Sequence, residues 1–210
     1  MRQCFSIGLF ALLVLSLPGC DGFRDTKPQL PGNLDTLCMP DYASGFEMYR
    51  YDSSTLLRIV NPWQGADSVS QWVFLSRDDE NPPKGFAGET IDVPVRRIVC
   101  MSSSYVAFLE ALGADSTICA ISGTGYIWSD KVRNRIAGGE IAEAGFDNSL
   151  NFEKLVALKP DVVFLYGLTG KNAVTDKLHE LGLKTVYIGD YVENNPLGRA
   201  EWITVFGEFT

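Results

Sequence analysis

Histidine is almost absent from this sequence, which limits the chemistry that the chain can perform. His179 is the only histidine among 210 residues. It lies inside a predicted helix, DKLHELG, where we expect a surface or half-buried side chain. A Ser-His-Asp arrangement needs a histidine beside its nucleophile, and no G-x-S-x-G turn surrounds the serines at 102–104. We therefore expect no Ser-His-Asp catalytic arrangement.

Cysteine is also scarce, and its spacing indicates neither a metal site nor a disulfide framework. The five cysteines contain no C-x-x-C pair, the spacing that zinc sites commonly use. Cys100 and Cys119 lie in apolar strand patterns. We expect these two to be buried free thiols.

Positive charge is in deficit. Lys and Arg number 18 against 26 Asp and Glu, which makes the formal net charge −8. No basic stripe is present, so we expect no nucleic-acid partner. GLTGKN at 167–172 partly matches a phosphate loop, but Leu165 stands where glycine is required and Asn172 where Ser or Thr is required. We predict no nucleotide site and no cofactor.

Long apolar runs are missing except at the N-terminus. Residues 5–17 form one apolar run, which is shorter than a membrane-spanning helix and has the layout of a secretory signal. We predict a signal peptide at 1–19. Leu17-Pro18-Gly19-Cys20 resembles a bacterial lipobox, which implies lipidation of Cys20 and anchoring on the periplasmic side of a bacterial membrane. A plain signal peptide with a chance cysteine is the alternative.

The rest of the chain divides into three predicted parts. Residues 20–44 are rich in Pro, Asp and Gly and are predicted to form a tether. Residues 45–90 are β-rich: FEMYRYDSSTLLRIV and VSQWVFLS are predicted to pair as a hairpin, followed by an edge strand, TIDVPV. Residues 91–210 are predicted to form an α/β lobe.

Two strand–helix–strand units make up this predicted lobe. The first is RIVCMS, SSSYVAFLEALG and STICAISG, and the second is DVVFLYG, GKNAVTDKLHELG and LKTVYIGD. Such units are right-handed and have parallel strands. The fold class is therefore predicted to be α/β, with a doubly wound, mainly parallel, Rossmann-like sheet that follows a β-hairpin extension. Residues 196–206 are predicted to begin an amphipathic helix, with Trp202 on its apolar side.

Ligands of open α/β sheets bind outside the carboxyl ends of the strands. Serines and aromatic residues follow the predicted strands at those ends, and the long connection between the two units starts from the same edge. The alternatives are that the serines only cap a helix and that the aromatic residues only anchor their loop. The predicted ligand-binding residues are Ser103, Ser104, Tyr126, Trp128, Phe146 and Tyr166.

Three basic residues follow this group in the segment SDKVRNR. Lys131, Arg133 and Arg135 are suited to pair with an anionic ligand. The alternative interpretation is a solvated helix face without a binding role.

Three segments together resemble the N-terminal lobe of the periplasmic binding proteins of metal-chelate ABC importers. They are RIVCMSSSYVAFLEALGA, ICAISG and AGFDNSLNFEKLVALKPDVVFLYG, and the resemblance covers about residues 90–210. The most specific piece is N-x-E-x-x-x-A-L-K-P-D-V-V, which begins at Asn151. The family serves ferric siderophores, haem and cobalamin. Its members are binding proteins, so the resemblance implies that this protein is not an enzyme.

The resemblance implies two α/β lobes joined by one long helix, with the ligand clamped between the lobes. It also implies that Glu153 docks on an arginine pocket of the ABC permease subunits. The alternative is that Glu153 only complements the dipole of its helix. By the same resemblance Tyr166 and Gly167 close a strand at the ligand cleft, and an iron chelate is slightly favoured as the ligand.

The chain ends at GRAEWITVFGEFT, where the resemblance implies a linking helix and a second lobe. We therefore expect either a fragment of a longer protein or a single-lobe product. In the second case the alternative function is an accessory or interaction lipoprotein without a transport role.

Overall fold

A computed structural model describes residues 34–146, 149–167 and 173–210. The predicted signal peptide, Cys20 and the first part of the tether lie outside these residues. The described residues form two five-stranded sheets that are packed together with helices. None of the helices within the described ranges is long and apolar enough to cross a membrane.

The N-terminal sheet has the strand order β1-β2-β3-β4-β5. Neighbouring strands are antiparallel except β4 and β5, which are parallel. The strands are β1 (Asp35–Cys38), β2 (Phe46–Tyr51), β3 (Ser54–Val60), β4 (Ser70–Ser76) and β5 (Glu89–Asp92).

The predicted β extension is confirmed, but it is larger than one hairpin. The run 46–60 was predicted as a single strand, whereas it folds back on itself at Asp52, whose φ of 47° is left-handed. Aspartate tolerates that conformation in tight turns, and the alternating pattern on either side conceals the reversal. Strand β1 also lies inside the segment predicted as a tether, where it pairs with β2.

The second sheet is entirely parallel and has the order β10-β9-β6-β7-β8. This confirms the doubly wound α/β lobe, and β8 is an additional strand within the long connection. Four of its strands are buried, as continuous apolar runs of parallel sheets are, and the short strand β8 is half-buried. The elements are β6 (Ile98–Cys100), α1 (Ser103–Ala111), β7 (Ile118–Ile121), α2 (Asp130–Ala137), β8 (Ala142–Glu143), α3 (Phe152–Leu158), β9 (Val162–Leu165), α4 (Ala173–Glu180) and β10 (Thr185–Tyr187).

Two short helices, α5 (Pro196–Glu201) and α6 (Ile203–Phe209), end the chain and join the two sheets. The predicted amphipathic helix is confirmed, although it breaks at Trp202. Trp202 and Phe206 are fully buried in one apolar cluster that includes Phe46 of the N-terminal sheet and Phe164 of the parallel sheet. The extension and the lobe therefore share one hydrophobic core.

A single side chain also ties the two sheets at an edge. Gln71 on β4 donates its amide N–H to the carbonyl oxygen of Thr185 at 2.8 Å and accepts from the N–H of Tyr187 at 2.9 Å. Strand β10 lies at the edge of its sheet, so the backbone groups on its outer side have no neighbouring strand to bond to. The amide of Gln71 provides hydrogen bonds to two of these groups. Cys100 and Cys119 are buried free thiols, as predicted.

Candidate functional site

A hollow of about 270 Å³ lies at the carboxyl ends of the parallel strands. Residues that follow β6, β7, β9 and β10 converge there, as expected for ligand sites of open α/β sheets. Aromatic rings and hydroxyl groups dominate the surface. The lining residues are Met101, Ser102, Ser103, Tyr105, Ser122, Tyr126, Phe146, Tyr166, Asp190 and Tyr191.

Four of the six residues predicted to bind ligand line this hollow, namely Ser103, Tyr126, Phe146 and Tyr166. The other two do not. Trp128 is 90% exposed and lies beyond the lining. Ser104 lies outside the lining, and its hydroxyl is 3.0 Å from the hydroxyl of Ser102. Ligand binding by all six residues stays a prediction.

The serines after β6 also cap α1. Ser102 is the N-cap, and its hydroxyl accepts from the N–H of Ser104. The helix then ends before Gly113, whose left-handed φ of 71° is typical of the residue that follows a helix. Capping by Ser102 leaves Ser103 in the first turn of the helix and on the wall of the hollow.

Glu143, which sequence reasoning missed, joins the two loops that carry Tyr126 and Phe146. Its carboxylate accepts hydrogen bonds from the backbone N–H groups of Gly123 (2.9 Å), Thr124 (2.8 Å) and Gly145 (3.0 Å), and from the Thr124 hydroxyl (2.6 Å). Partial burial acts to raise the pKa of Glu143, but these hydrogen bonds outweigh it and hold the pKa below its usual value. The carboxylate that joins the loops therefore stays ionised into mild acid.

Gly123 explains why the two aromatic rings lie together at the rim. A Cβ atom at this position would lie 2.9 Å from the ring of Tyr126 and 3.3 Å from that of Phe146. Its φ of 76° is also left-handed, which glycine adopts without strain. Both rings pack over this glycine and remain partly exposed, 70% for Tyr126 and 48% for Phe146.

Asp190 is the second functional candidate that sequence reasoning missed. It follows β10, lines the hollow and is 7% exposed. Burial raises the pKa of its carboxyl group, while hydrogen bonds from the Ser104 hydroxyl and the Tyr191 N–H act in the opposite direction. The sequence did contain a signal for Asp190, because it stands at the end of the fourth predicted strand, just as the predicted ligand-binding residues stand beyond the ends of the other strands.

Two tyrosines that line the hollow form hydrogen bonds to backbone carbonyl oxygens at the strand ends. Tyr105 is fully buried, as its place on the core stripe of α1 predicts. Its hydroxyl lies 3.3 Å from the carbonyl oxygen of Leu165 and 3.2 Å from that of Ile188. The Tyr191 hydroxyl donates to the carbonyl oxygen of Gly167. These bonds tie strand ends together beneath the site.

The three basic residues considered for an anionic ligand are each paired with a carboxylate. All three lie on α2, and none lines the hollow. This geometry supports the alternative interpretation, a helix face without a binding role. The pairs are Lys131 with Asp115 (2.6 Å), Arg133 with Asp130, and Arg135 with Glu140 (3.0 Å).

Glu153 is exposed in the first turn of α3. Asn151 caps this helix, because its side chain accepts from the N–H of Lys154 at 2.9 Å. Within the described ranges no hydrogen bond or ion pair engages the Glu153 carboxylate. The side chain is therefore available to a partner outside the chain.

His179 has the ordinary role that was expected of it. Its Nε2 lies 2.7 Å from the Thr185 hydroxyl and 3.4 Å from the Glu89 carboxylate, and the side chain is 40% exposed. In the part of the chain that the structure describes, no three His, Cys, Asp or Glu side chains are grouped to hold a metal ion. Most of the GLTGKN segment lies outside the described residues.

Comparison with known proteins places the lobe in a family. Two uncharacterised lipoproteins of Methanocaldococcus jannaschii are similar to the chain. One is 28% identical over 241 residues, which is 100% of the chain and 57% of that protein. The other is 29% identical over 190 residues, 88% of the chain and 45% of that protein. The chain thus spans about half the length of the curated relatives that it matches.

Two solved structures show weaker similarity. The petrobactin-binding protein YclQ of Bacillus subtilis is 15% identical with a TM-score of 0.40, covering 55% of the chain and 38% of that protein. The periplasmic haem-binding protein HutB of Vibrio cholerae is 18% identical with a TM-score of 0.35, covering 53% and 45%. A family profile described as "periplasmic binding protein" matches residues 98–210, more than half of the chain. The chain belongs to the periplasmic binding protein family.

Proposed function

We propose that this protein is the substrate-binding component of an ABC importer for a metal chelate of the iron-siderophore, haem or cobalamin type. It captures the chelate outside the cell and delivers it to the membrane permease. The observation that carries the proposal is the aromatic-lined hollow at the carboxyl ends of the parallel strands, in a chain of this family.

The shape and chemistry of the hollow suit one face of a chelate. Ligand pockets have volumes of roughly 300–1,000 Å³, so a hollow of about 270 Å³ holds only part of a large ligand. The exposed rings of Tyr126 and Phe146 offer flat apolar surface. The hydroxyls of Ser103 and Ser122 stand beside them to orient polar groups.

Ligand titration tests this function directly. Haem, cobalamin and ferric hydroxamate chelates should each be added to the protein expressed from its complete gene, with tryptophan quenching as the signal. Removing a ring that covers the ligand should weaken binding, so Phe146→Ala is expected to raise the Kd of the bound chelate roughly tenfold.

Leu197→Ala is the matched control, because Leu197 is an apolar residue of α5 that is 55% exposed and does not line the hollow. It should leave the Kd unchanged. Failure of all three chelate classes to bind would contradict the proposed function, and an unchanged Kd in Phe146→Ala would remove the hollow as the site.

The proposal also includes a lipid anchor at Cys20 and an extracytoplasmic location. The lipobox-like sequence before Cys20 supports it, and the relatives from Methanocaldococcus jannaschii carry the name lipoprotein. Because these relatives are archaeal, the proposed location is the outer face of a prokaryotic membrane and not of a bacterial one in particular.

Glu153 is proposed to dock the permease. Glu153→Ala should leave folding intact because the side chain is exposed, and it should lower chelate uptake by cells that contain the permease. Uptake of labelled chelate and the melting temperature are the two measurements. Glu180→Ala, which removes another exposed acid, should leave uptake unchanged. Normal uptake by Glu153→Ala would exclude the docking role.

A further inference from the structure

The described lining residues of the hollow carry charge of one sign only. Asp190 is the one ionisable acid or base among its described lining residues other than tyrosine, and no Lys, Arg or His belongs to that lining. The carboxylate is 7% exposed, so little water screens it from a group that enters the hollow.

Burial raises the pKa of the Asp190 carboxyl group, while the Ser104 hydroxyl and the Tyr191 N–H act in the opposite direction. These two groups are uncharged, so neither offsets the negative charge of the carboxylate. Among the described residues no salt bridge involves Asp190.

The arginine and lysine side chains of α2 and α5 form hydrogen bonds or ion pairs outside the hollow. Arg199, whose charge acts on Asp190, donates to the carbonyl oxygens of Glu193 and Tyr191 instead of reaching into the hollow. The α2 cations Lys131 and Arg135 are paired with Asp115 and Glu140. An anionic ligand group would therefore be desolvated beside the Asp190 carboxylate, and none of the described lining residues offers it a cation.

We propose that this hollow selects chelates by charge, accepting neutral or cationic metal chelates and rejecting anionic ones, with Asp190 as the residue that sets the preference. The inference rests on the proposed function and narrows its ligand class. It favours ferric hydroxamates and corrinoids over ferric tricatecholates, which carry several negative charges. The specificity comes from repulsion of anionic chelates by the Asp190 carboxylate as well as from attraction of cationic ones.

The test uses two chelate scaffolds, each in forms of different charge. A linear ferric hydroxamate with a terminal amine is cationic, its N-acetyl form is neutral, and its N-succinyl form is anionic. Cobalamin supplies a second set: the cationic aquo form, the neutral cyano form and an anionic side-chain acid of the cyano form. Each is titrated into the protein expressed from its complete gene.

We expect the cationic member of the binding set to have a Kd about tenfold lower than the anionic member, with the neutral member between them. Asp190→Asn preserves the shape of the side chain and should reduce that ratio to about one. Asp92→Asn, on the exposed end of β5, changes the net charge equally and should keep the full ratio.

The outcomes separate the two proposals. Equal affinity across a set, or tighter binding of the anionic member, overturns charge selection while the binding function stands. If Asp190→Asn keeps the full ratio between the Kd values of the anionic and cationic members, Asp190 does not set the charge preference. If no member of either set binds, the proposed function fails and charge selection fails with it. If Asp190→Asn does not fold, the wild-type ratio still decides whether the hollow selects by charge.

Discussion

Replacing Phe206 with alanine should lower the free energy of unfolding by about 3–5 kcal/mol. The ring is fully buried on α6. Its centroid lies 4.9 Å from that of Phe164, 5.1 Å from that of Phe108 and 5.7 Å from that of Tyr105. Alanine would leave a cavity at the centre of the core that the two sheets share. A loss of this size is a large fraction of the stability of an ordinary domain.

Urea denaturation followed by circular dichroism measures this change. Leu197→Ala serves as the control, because a largely exposed side chain should contribute within about 0.5 kcal/mol. A loss below about 1 kcal/mol in Phe206→Ala would mean that α6 does not join the two sheets in solution.

Replacing Glu193 with alanine is expected to cost roughly 3 kcal/mol and to loosen the N-terminal sheet. The buried carboxylate accepts from the backbone N–H of Ser44 (3.0 Å), the N–H of Gly45 (2.9 Å) and the indole N–H of Trp202 (3.1 Å). Alanine removes the acceptor and leaves these donors without it in a site that water does not easily reach. The chain just before β2 would then be held less firmly.

Glu201 offers a matched comparison for this experiment. It accepts three backbone N–H groups, from Asp41, Tyr42 and Ala43, but at an exposed site. Water can replace a carboxylate there, so Glu201→Ala should destabilise less than Glu193→Ala. Thermal denaturation and limited proteolysis near residue 44 compare the two variants. Equal melting temperatures of the two variants would show that burial does not increase the contribution of Glu193 to stability.

The parallel sheet could be predicted because its signals are local. Apolar runs such as those around Val99 and Val163 are too continuous for an exposed strand, and Gly113 stops a helix by its own backbone preference. The reversal at Asp52 could not be predicted from the alternation alone. The same apolar and polar pattern continues through the turn, so only the pairing of β2 with β3 reveals it.

The candidate site was predicted in part for a similar reason. The rule that ligands bind beyond strand ends identified Tyr126, Phe146 and Tyr166, which do line the hollow. It did not separate them from Trp128, which follows the same strand but points away from the lining. The direction of a side chain in a loop depends on contacts with other loops, and no periodicity encodes those contacts.

The amino-acid sequence by itself determined the fold class, the family and the edge of the sheet where the hollow lies, because these depend on periodicity and on motifs of adjacent residues. Only the tertiary structure decided which charged side chains are paired with an opposite charge or with hydrogen-bond donors, and which are not. Glu193 meets Ser44 across 149 positions of the chain, and Lys131 meets Asp115 across 16. Electrostatic interactions depend on distance in space and on burial, and both are set only when the chain has folded.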